Sequence, residues 1–530
     1  MVQLIPEKQR NFAFYVVQKL QRAGFTAYWA GGCVRDQLLG YTPKDYDVAT
    51  DARPGQIRRV FRRHKTLAVG ADFGTITVVG PRGAGQVEVT TFRQEAEYSD
   101  GRHPDRVWFS SAQEDAQRRD FTINGIFYDP VRQEYIDYVG GQQDIHSRQI
   151  RAIGDPRKRF QEDKLRMLRA VRFAAVLGFT IEPATFQAIV QMADQILQVS
   201  AERIAGEMER LLTAPFRAEG VRLLVTTGLA RPLLPEILLP EGDSSPRALP
   251  PQDGMREVFS VPLETHKAAL AKDMPSEESI EPTQLFAGAS QEPVYSGVGS
   301  RPERAQSPTA AGAEPVRSIP GARPELAQSL QILERLKEPS FALALAGLLA
   351  GMCTGRQVIA LGRRWRLSNQ VMERAAWLVD HADALHQATS QPWSKLQPLL
   401  IHPGIHELLA LMEAKASLGW TEAEDVQFCY QKLALPPELL NPPPLITGDD
   451  LIRLGIPQGP IYKKILEQVR AAQLDGRIHS PEQALHLARQ IAQNELNPEL
   501  PLLLSIPEEY FNGQKGQKED GGSSAADPAS

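Results

Sequence analysis

Asp45 and Asp47 stand one residue apart in Lys44-Asp45-Tyr46-Asp47-Val48-Ala49-Thr50. If this run is a strand, side chains at i and i+2 project to one face, and both carboxylates enter one site. Two carboxylates so close repel each other unless a hard cation neutralises them, and Mg²⁺ favours one or two carboxylates together with substrate phosphates. The pair therefore points to phosphoryl or nucleotidyl transfer. A solvated turn at a strand start uses the same residues, so the pair alone does not decide between them.

The glycines upstream add a partner for that chemistry. In Gly31-Gly32-Cys33-Val34-Arg35-Asp36 a tight turn follows an apolar strand and opens a helix. Backbone N–H groups at such a junction form a nest for phosphate, reinforced by the helix dipole, and Arg35 in the first turn reaches an anionic ligand. A third carboxylate would help hold two metals about 3.5–4 Å apart, and Glu88 in Val87-Glu88-Val89-Thr90-Thr91-Phe92 is a candidate. Strand alternation would equally place Glu88 on a solvent face. Arg118-Arg119-Asp120-Phe121-Thr122-Ile123-Asn124 concentrates two guanidinium groups suited to bidentate phosphate contacts, with Asp120 as a structural partner for one of them. Farther on, Asp163, Arg166, Arg169 and Arg172 recur every three residues in a segment, Glu162 to Arg172, that reads as one helix. Such a stripe is either a row of solvated salt bridges or a surface that reads a nucleobase edge.

Secondary structure must bring these groups together. From Asn11 to Asp137 helical and strand-like segments alternate. The helices are Asn11–Ala23, Val34–Leu39 and Pro54–Arg63. The strands are Ala27–Ala30, Asp45–Thr50, Thr75–Val79, Gln86–Phe92, and Gly125–Tyr128 or Tyr135–Asp137. After Gly154 strand signals fade and apolar residues recur at helical spacing, as at Leu165, Leu168 and Ala175. The fold class expected is α+β in a head spanning 1–150, followed by an all-α remainder. Between 241 and 324 the chain shifts to Pro, Ser, Gly, Ala and Glu with little periodicity, which predicts a disordered insertion, and residues 512–530 read the same way.

The whole chain of 530 residues carries a net charge of −5, so no global field recruits nucleic acid. Polyanion binding would need local patches, such as Arg58-Arg59 with Arg62-Arg63-His64-Lys65; a solvated helix face accounts for those residues taken singly. Three scattered cysteines, Cys33, Cys353 and Cys429, argue against a disulfide framework or a zinc cluster, and fit a reducing cytosol. The N-terminus lacks an apolar signal core and Phe341 to Cys353 is too short to span a bilayer, so a cytoplasmic protein without a membrane partner is expected.

Taken in order, these motifs, with Asp155-Pro156 and Arg159-Phe160, Glu162-Asp163-x-x-Arg166, and Ser200-Ala201-Glu202-Arg203-Ile204 with Glu207, resemble those of the class II tRNA nucleotidyltransferase and bacterial poly(A) polymerase family. The resemblance implies a polymerase-β-like nucleotidyltransferase head, then a helical neck at 151–240, a body at 325–395 and an RNA-binding tail at 396–511. It implies Mg²⁺ at Asp45 and Asp47 with Glu88 nearby, and triphosphate contacts from Gly31, Gly32, Arg35, Arg118 and Arg119. Asp163 and Arg166 would pair with the incoming base, assisted by Arg169 and Arg172. Within the family, Val69-Gly70-Ala71-Asp72-Phe73-Gly74-Thr75-Ile76 is similar to the CCA-adding branch, and Glu97-Tyr98-Ser99-Asp100-Gly101-Arg102-His103-Pro104 looks like the loop needed for terminal A addition. The expected activity is CCA addition to tRNA from CTP and ATP, with poly(A) synthesis or partial addition as alternatives and a non-catalytic RNA-binding protein as a rival of another class. The segment Pro339 to Leu349 resembles a helix that leads into a His-Asp metal pair in relatives; here Ala350-Gly351 follow, so a degenerate, structural HD-like body is expected. Near the C-terminus, Gly459-Pro460 before Lys463 and Lys464 offers either an RNA phosphate site or an ordinary helix start.

Overall fold

Phe12, Val16, Val17 and Leu20 recur at helical spacing, and Pro6 pre-sets the first helical φ, so the chain opens in helix α1 (Pro6–Arg22), whose apolar stripe is buried. In the computed structural model, which describes residues 4–68, 74–96, 106–240 and 319–496, the chain divides into two compact units. One unit holds residues 1–334 with 351–372; the other holds 335–350 with 373–530.

In the first unit α1 leads to strand β1 (Ala27–Ala30), helix α2 (Gly32–Leu38), strand β2 (Asp47–Thr50) and helix α3 (Pro54–Val60). Strands β3 (Thr66–Leu67), β4 (Thr75–Val79) and β5 (Gln86–Thr91) follow, then β6 (Arg93–Ala96) and β7 (Arg106–Phe109), which pair as an antiparallel ribbon. Helix α4 (Ala112–Gln117) precedes β8 (Ile126–Asp129) and β9 (Glu134–Asp137). The main sheet runs β3-β4-β5-β2-β1-β8-β9, and β2 and β5 are parallel. Strand formers dominate β4 and β5, whose Ile76, Val78, Val87 and Val89 are buried while Gln86 and Glu88 face out.

The expected segments Gly125–Tyr128 and Tyr135–Asp137 are both strands, since β8 and β9 pair antiparallel. Strand β2 begins at Asp47, not Asp45, because Asp45 lies in the preceding bend. Alternation nonetheless holds across the junction: Tyr46 is buried, and Asp45 and Asp47 are both exposed.

After helix α5 (Gly141–His146) and strand β10 (Gln149–Ile150) the neck continues as helices α6 (Pro156–Glu162) and α7 (Leu165–Leu177). It is helical apart from the two-residue strand β11 (Thr180–Ile181), which pairs with β10, and continues with α8 (Pro183–Met192) and α9 (Ala201–Leu212). The single helix expected over Glu162–Arg172 is broken at Asp163, whose extended backbone (φ −144°, ψ 107°) separates α6 from α7. Physically, Asp163 accepts a hydrogen bond from the Leu165 N–H at 3.0 Å, and such local bonds compete with helix continuation. Residues 319–324, read from composition as the end of the insertion, are instead tied to the neck. Leu238 bridges Ala322, and the Arg323 N–H donates to the Ile237 carbonyl at 3.0 Å, so the chain returns beside the point where it left. Residues 241–318 and 512–530 lie outside the described residues, as do 69–73 and 97–105.

The second unit is helical. Helix Phe341–Leu349 is buried along its whole length and ends at Ala350 (ψ 135°) before Gly351 (φ 82°), which has a conformation suited to glycine. His381 and Asp383 are occupied elsewhere: His381 Nδ1 contacts the Trp377 carbonyl at 2.8 Å, and Asp383 accepts from Lys415 at 2.6 Å. Ile446, Leu451, Ile465, Val469, Leu485 and Ala488 form a core beneath helices Ile461–Leu474 and Pro481–Leu496. Lys464 pairs with Glu495 at 2.6 Å and Lys463 lies 3.8 Å from Glu467, so both lysines at this helix start have carboxylate partners. Among the described residues no helix is long and apolar enough to cross a membrane.

Candidate active site

The turn between β1 and α2 depends on glycine. Gly31 has φ 75°, where an L side chain is strained, and a Cβ there would lie 3.2 Å from Arg119 Nη1. On the nucleotidyl-transfer chemistry expected from the sequence, replacing Gly31 by Ala should lower kcat/KM for a nucleoside triphosphate by about 10- to 100-fold through backbone strain and a displaced Arg119, as steady-state kinetics with each nucleotide would reveal.

Gly31 and Gly32 line a cavity of about 380 Å³ with Arg35, Arg118, Arg119, Asp120, Asn124, Asp163, Arg166, Arg169 and Phe173. Its guanidinium groups are held in place by carboxylates behind them. Arg35 donates to Asp36 at 2.7 Å and to the Asn124 side-chain oxygen at 2.8 Å. Asp115, on α4 and only 1% exposed, accepts from Arg118 at 2.7 Å and from Arg119 at 3.1 Å, each with two nitrogens. Burial alone would raise the Asp115 pKa, but the Arg119 and Arg118 charges outweigh it and hold the carboxyl below its ordinary range.

The opposite wall comes from the neck. Asp163 accepts from Arg203 at 2.7 Å, and Arg166 donates to Glu162 and to the Arg159 carbonyl. Arg169 lines the cavity while donating to Asp120 at 2.6 Å and lying 3.6 Å from Glu207. Burial would raise the Asp120 pKa, yet Arg169, Asn124 and Arg166 push it well below the usual carboxylate range. Arg172 is not in the cavity lining. It is buried, donates to Glu207 at 2.7 Å and stacks 3.6 Å over the Phe173 ring. Burial lowers its pKa to about 10 against the opposing pull of Glu207. The stripe read from the sequence is therefore split: Asp163, Arg166 and Arg169 reach the cavity, and Arg172 packs behind it.

Asp47 and Glu88 stand on the sheet, with Asp45 in the bend before β2; none of the three lines the cavity, but Asp47 is the register partner of Ala30, next to Gly31 in its lining. Asp47 and Glu88 are direct register partners on the parallel strands β2 and β5, so both face the same side. Desolvation, followed by the Asp45 and Glu88 charges, pushes the Asp47 pKa up to about 6, and Arg119 pulls against them. Cys33, behind the glycine turn, donates to the Ala30 carbonyl; burial pushes its thiol up to about 12, so it is no nucleophile. Asp115, Asn124 and Phe173 were not singled out as site residues from the sequence. For Asp115 a signal existed in its i+3 and i+4 spacing from Arg118 and Arg119 on a helix.

The family described as "Poly A polymerase head domain" matches residues 27–151, and the one described as "Probable RNA and SrmB- binding site of polymerase A" matches residues 178–239. The CCA-adding enzyme of Geobacillus stearothermophilus is 47% identical over 221 residues, covering 41% of this chain and 53% of that protein. Over its head and neck segments the chain is similar to the CCA-adding enzyme and poly(A) polymerase family. The CCA-adding enzyme of Lacticaseibacillus paracasei is 46% identical over 220 residues, 41% of this chain and 54% of the relative, so the chain spans about half the length of the curated relatives it matches. A solved structure of the Bacillus stearothermophilus CCA-adding enzyme in complex with CTP superposes with a TM-score of 0.59 at 27% identity, covering 92% of this chain and 98% of the other. The Thermotoga maritima CCA-adding enzyme complexed with tRNA shares the fold, with a TM-score of 0.52 at 18% identity over 91% of this chain and 94% of the other.

Nucleotidyltransferases of this family use divalent metal ions. Desolvation first, and then the neighbouring charges of Asp45 and Glu88, raise the Asp47 pKa, so negative charge is gathered on hard oxygen donors that a divalent cation would neutralise. Among the described residues no three His, Cys, Asp or Glu side chains converge as a ready-made cage. Asp45 and Asp47, two residues apart and both exposed, suit a metal held by two carboxylates and completed by substrate oxygens.

Proposed function

We propose that this chain adds CMP and then AMP to the 3′ end of tRNA, using CTP and ATP and releasing pyrophosphate. The observation that carries this reading is one cavity lined by phosphate-binding groups on the head wall and by Asp163 and Arg166 on the neck wall, beside the register-paired Asp47 and Glu88. The glycine turn, Arg35, Arg118 and Arg119 bind and orient the triphosphate. Asp163 accepts from an exocyclic amine and Arg166 donates to ring acceptors, so protein side chains take the place of a template strand. Arg203 holds Asp163 and Glu162 holds Arg166, while Arg169 and Arg172 brace the same wall through Asp120 and Glu207.

Asp45 and Asp47 are the residues that would hold Mg²⁺, with Glu88 adding negative charge beside them. When bound, the metal supplies activation of the 3′-hydroxyl and charge neutralisation at the leaving phosphates. The guanidinium groups of Arg118 and Arg119 meet the charge that builds on the departing pyrophosphate, and Asp115 keeps them aimed at it. The nucleotide enters as a displacement at its α-phosphorus by the RNA 3′-oxygen, with no covalent enzyme intermediate.

Incubation with tRNA lacking its last three nucleotides, followed by sequencing of the product ends, tests this reading. Addition of CCA and a stop supports it. Addition of CC or A alone assigns a partial enzyme, unlimited A-tailing assigns a poly(A) polymerase, and no incorporation leaves a non-catalytic RNA-binding protein. Asp163→Ala should lower selectivity for CTP and ATP over UTP and GTP by about 10- to 100-fold, read from competitive incorporation, because a base-edge pair contributes about 1–3 kcal/mol of discrimination.

A further inference from the structure

Helix α3 and the turn after it carry Arg58, Arg59, Arg62 and Arg63, with Arg53 before them and Lys65 after. All six side chains are exposed, while Ile57 and Phe61 are fully buried and anchor the segment, each contributing about 1.5–3 kcal/mol. Asp51 is the one carboxylate between positions 51 and 68, and it accepts from the Thr26 N–H at 2.8 Å. No ion pair joins any of the six cations to a carboxylate among the described residues. A solvated helix face usually mixes signs; this one does not, in a chain whose net charge is −5.

Six mutually repelling cations are complementary to a polyanion. Nucleic acid fits better than an acidic protein because an open aromatic ring stands beside the first of them. The Arg53 guanidinium lies 5.5 Å over the Phe109 ring, Phe109 is 43% exposed, and its neighbour Trp108 is 49% exposed. Cations beside open aromatic faces bind a strand by its phosphates and its bases together. Position agrees. Arg53 follows Asp47 by six residues, which at about 3.3 Å per residue puts the start of the patch within roughly 20 Å of the carboxylates. That distance is spanned by a few nucleotides of substrate.

We propose that this surface of the head is an RNA-backbone interface, gripping the substrate a few nucleotides before its reacting 3′ end. The inference rests on RNA being the substrate. Its test is the variant with Arg58, Arg59, Arg62 and Arg63 all changed to Gln, in the full chain, with Kd for a full-length tRNA measured across about 50 to 200 mM KCl. The expected result is a Kd raised about tenfold or more, and a slope of log affinity against log salt reduced by about 3, since each neutralised phosphate contact contributes about 0.7–0.9. KM for CTP and kcat at saturating tRNA stay at the wild-type values. Two double variants, Arg58→Gln with Arg62→Gln and Arg59→Gln with Arg63→Gln, should each give about half the slope change. Wild-type Kd and slope in all three variants overturn the proposal. Failure of the unaltered protein to bind tRNA sinks the substrate reading itself, which separates the two conclusions.

Discussion

Replacing Asp47 by Asn should reduce nucleotide incorporation by roughly 10³-fold or more, equivalent to about 4 kcal/mol of barrier, while making the metal-free protein more stable. Both effects come from one cluster of charge. Asp47 faces the same side as Glu88 and follows Asp45 by two residues; its side chain reaches solvent but is crowded by surrounding protein, and that desolvation together with the two carboxylates raises its pKa to about 6. The sign follows from the proton balance. Below the ordinary carboxylate pKa near 4 the group is protonated folded and unfolded, and contributes nothing differential. Between about 4 and 6 the folded state keeps a proton that the unfolded state has released. Above about 6 the folded protein carries the repelling charge and its stability is lowest with respect to this group. The stabilisation by Asn should therefore be largest at neutral pH, about 1–3 °C in melting temperature without divalent ions, and fade as pH falls toward 4. Thermal melts at pH 5 and pH 7.5, with and without Mg²⁺, measure it; Mg²⁺ should stabilise the unaltered protein and leave Asp47→Asn nearly unmoved. Retention of incorporation by Asp47→Asn would refute the assignment of this carboxylate to the metal.

The second large effect is expected at a residue that touches no substrate. Asp115 holds Arg118 and Arg119 with its two oxygens and is almost wholly buried. Changing it to Ala removes the common anchor of both arginines, and breaking such a buried pair costs about 3 kcal/mol of stability. The misdirected guanidinium groups should lower kcat/KM about 100-fold for CTP and ATP alike, because the triphosphate is common to both. Selectivity among the bases should stay unchanged, since Asp163 and Arg166 are on the other wall. The pH dependence has the opposite sign to that of Asp47. The depressed pKa of Asp115 makes its contribution fully present above the ordinary carboxylate range, and it is lost as pH falls through the lowered value. Urea titrations at neutral pH and at pH 3 follow the stability; loss of base selectivity, or unchanged kinetics, would contradict the anchoring role.

What the sequence by itself determined about this protein is the part governed by short-range geometry. Strands Ala27–Ala30 and Thr75–Val79 match their expected bounds, because apolar alternation bounded by turn residues is a local code. Gly31-Gly32 marked a tight turn between a strand and a helix, where the structure then gives Gly31 a positive φ, and the spacing of Asp45 and Asp47 pointed to a shared face through the two-residue period of extended chain, even though Asp45 proved to precede the strand. Other contacts depend on packing between distant segments. The register that sets Glu88 beside Asp47, the return of residues 319–324 to Leu238, and the division of the arginine stripe at Asp163 were decided there. So were the carboxylates that aim the cationic groups: Asp120 lies 49 residues from Arg169, and Glu207 lies 35 from Arg172. A residue's period names the face it occupies, but only the packed fold places a buried charge within reach of its counter-charge, because that pairing offsets desolvation only once water has been excluded from both.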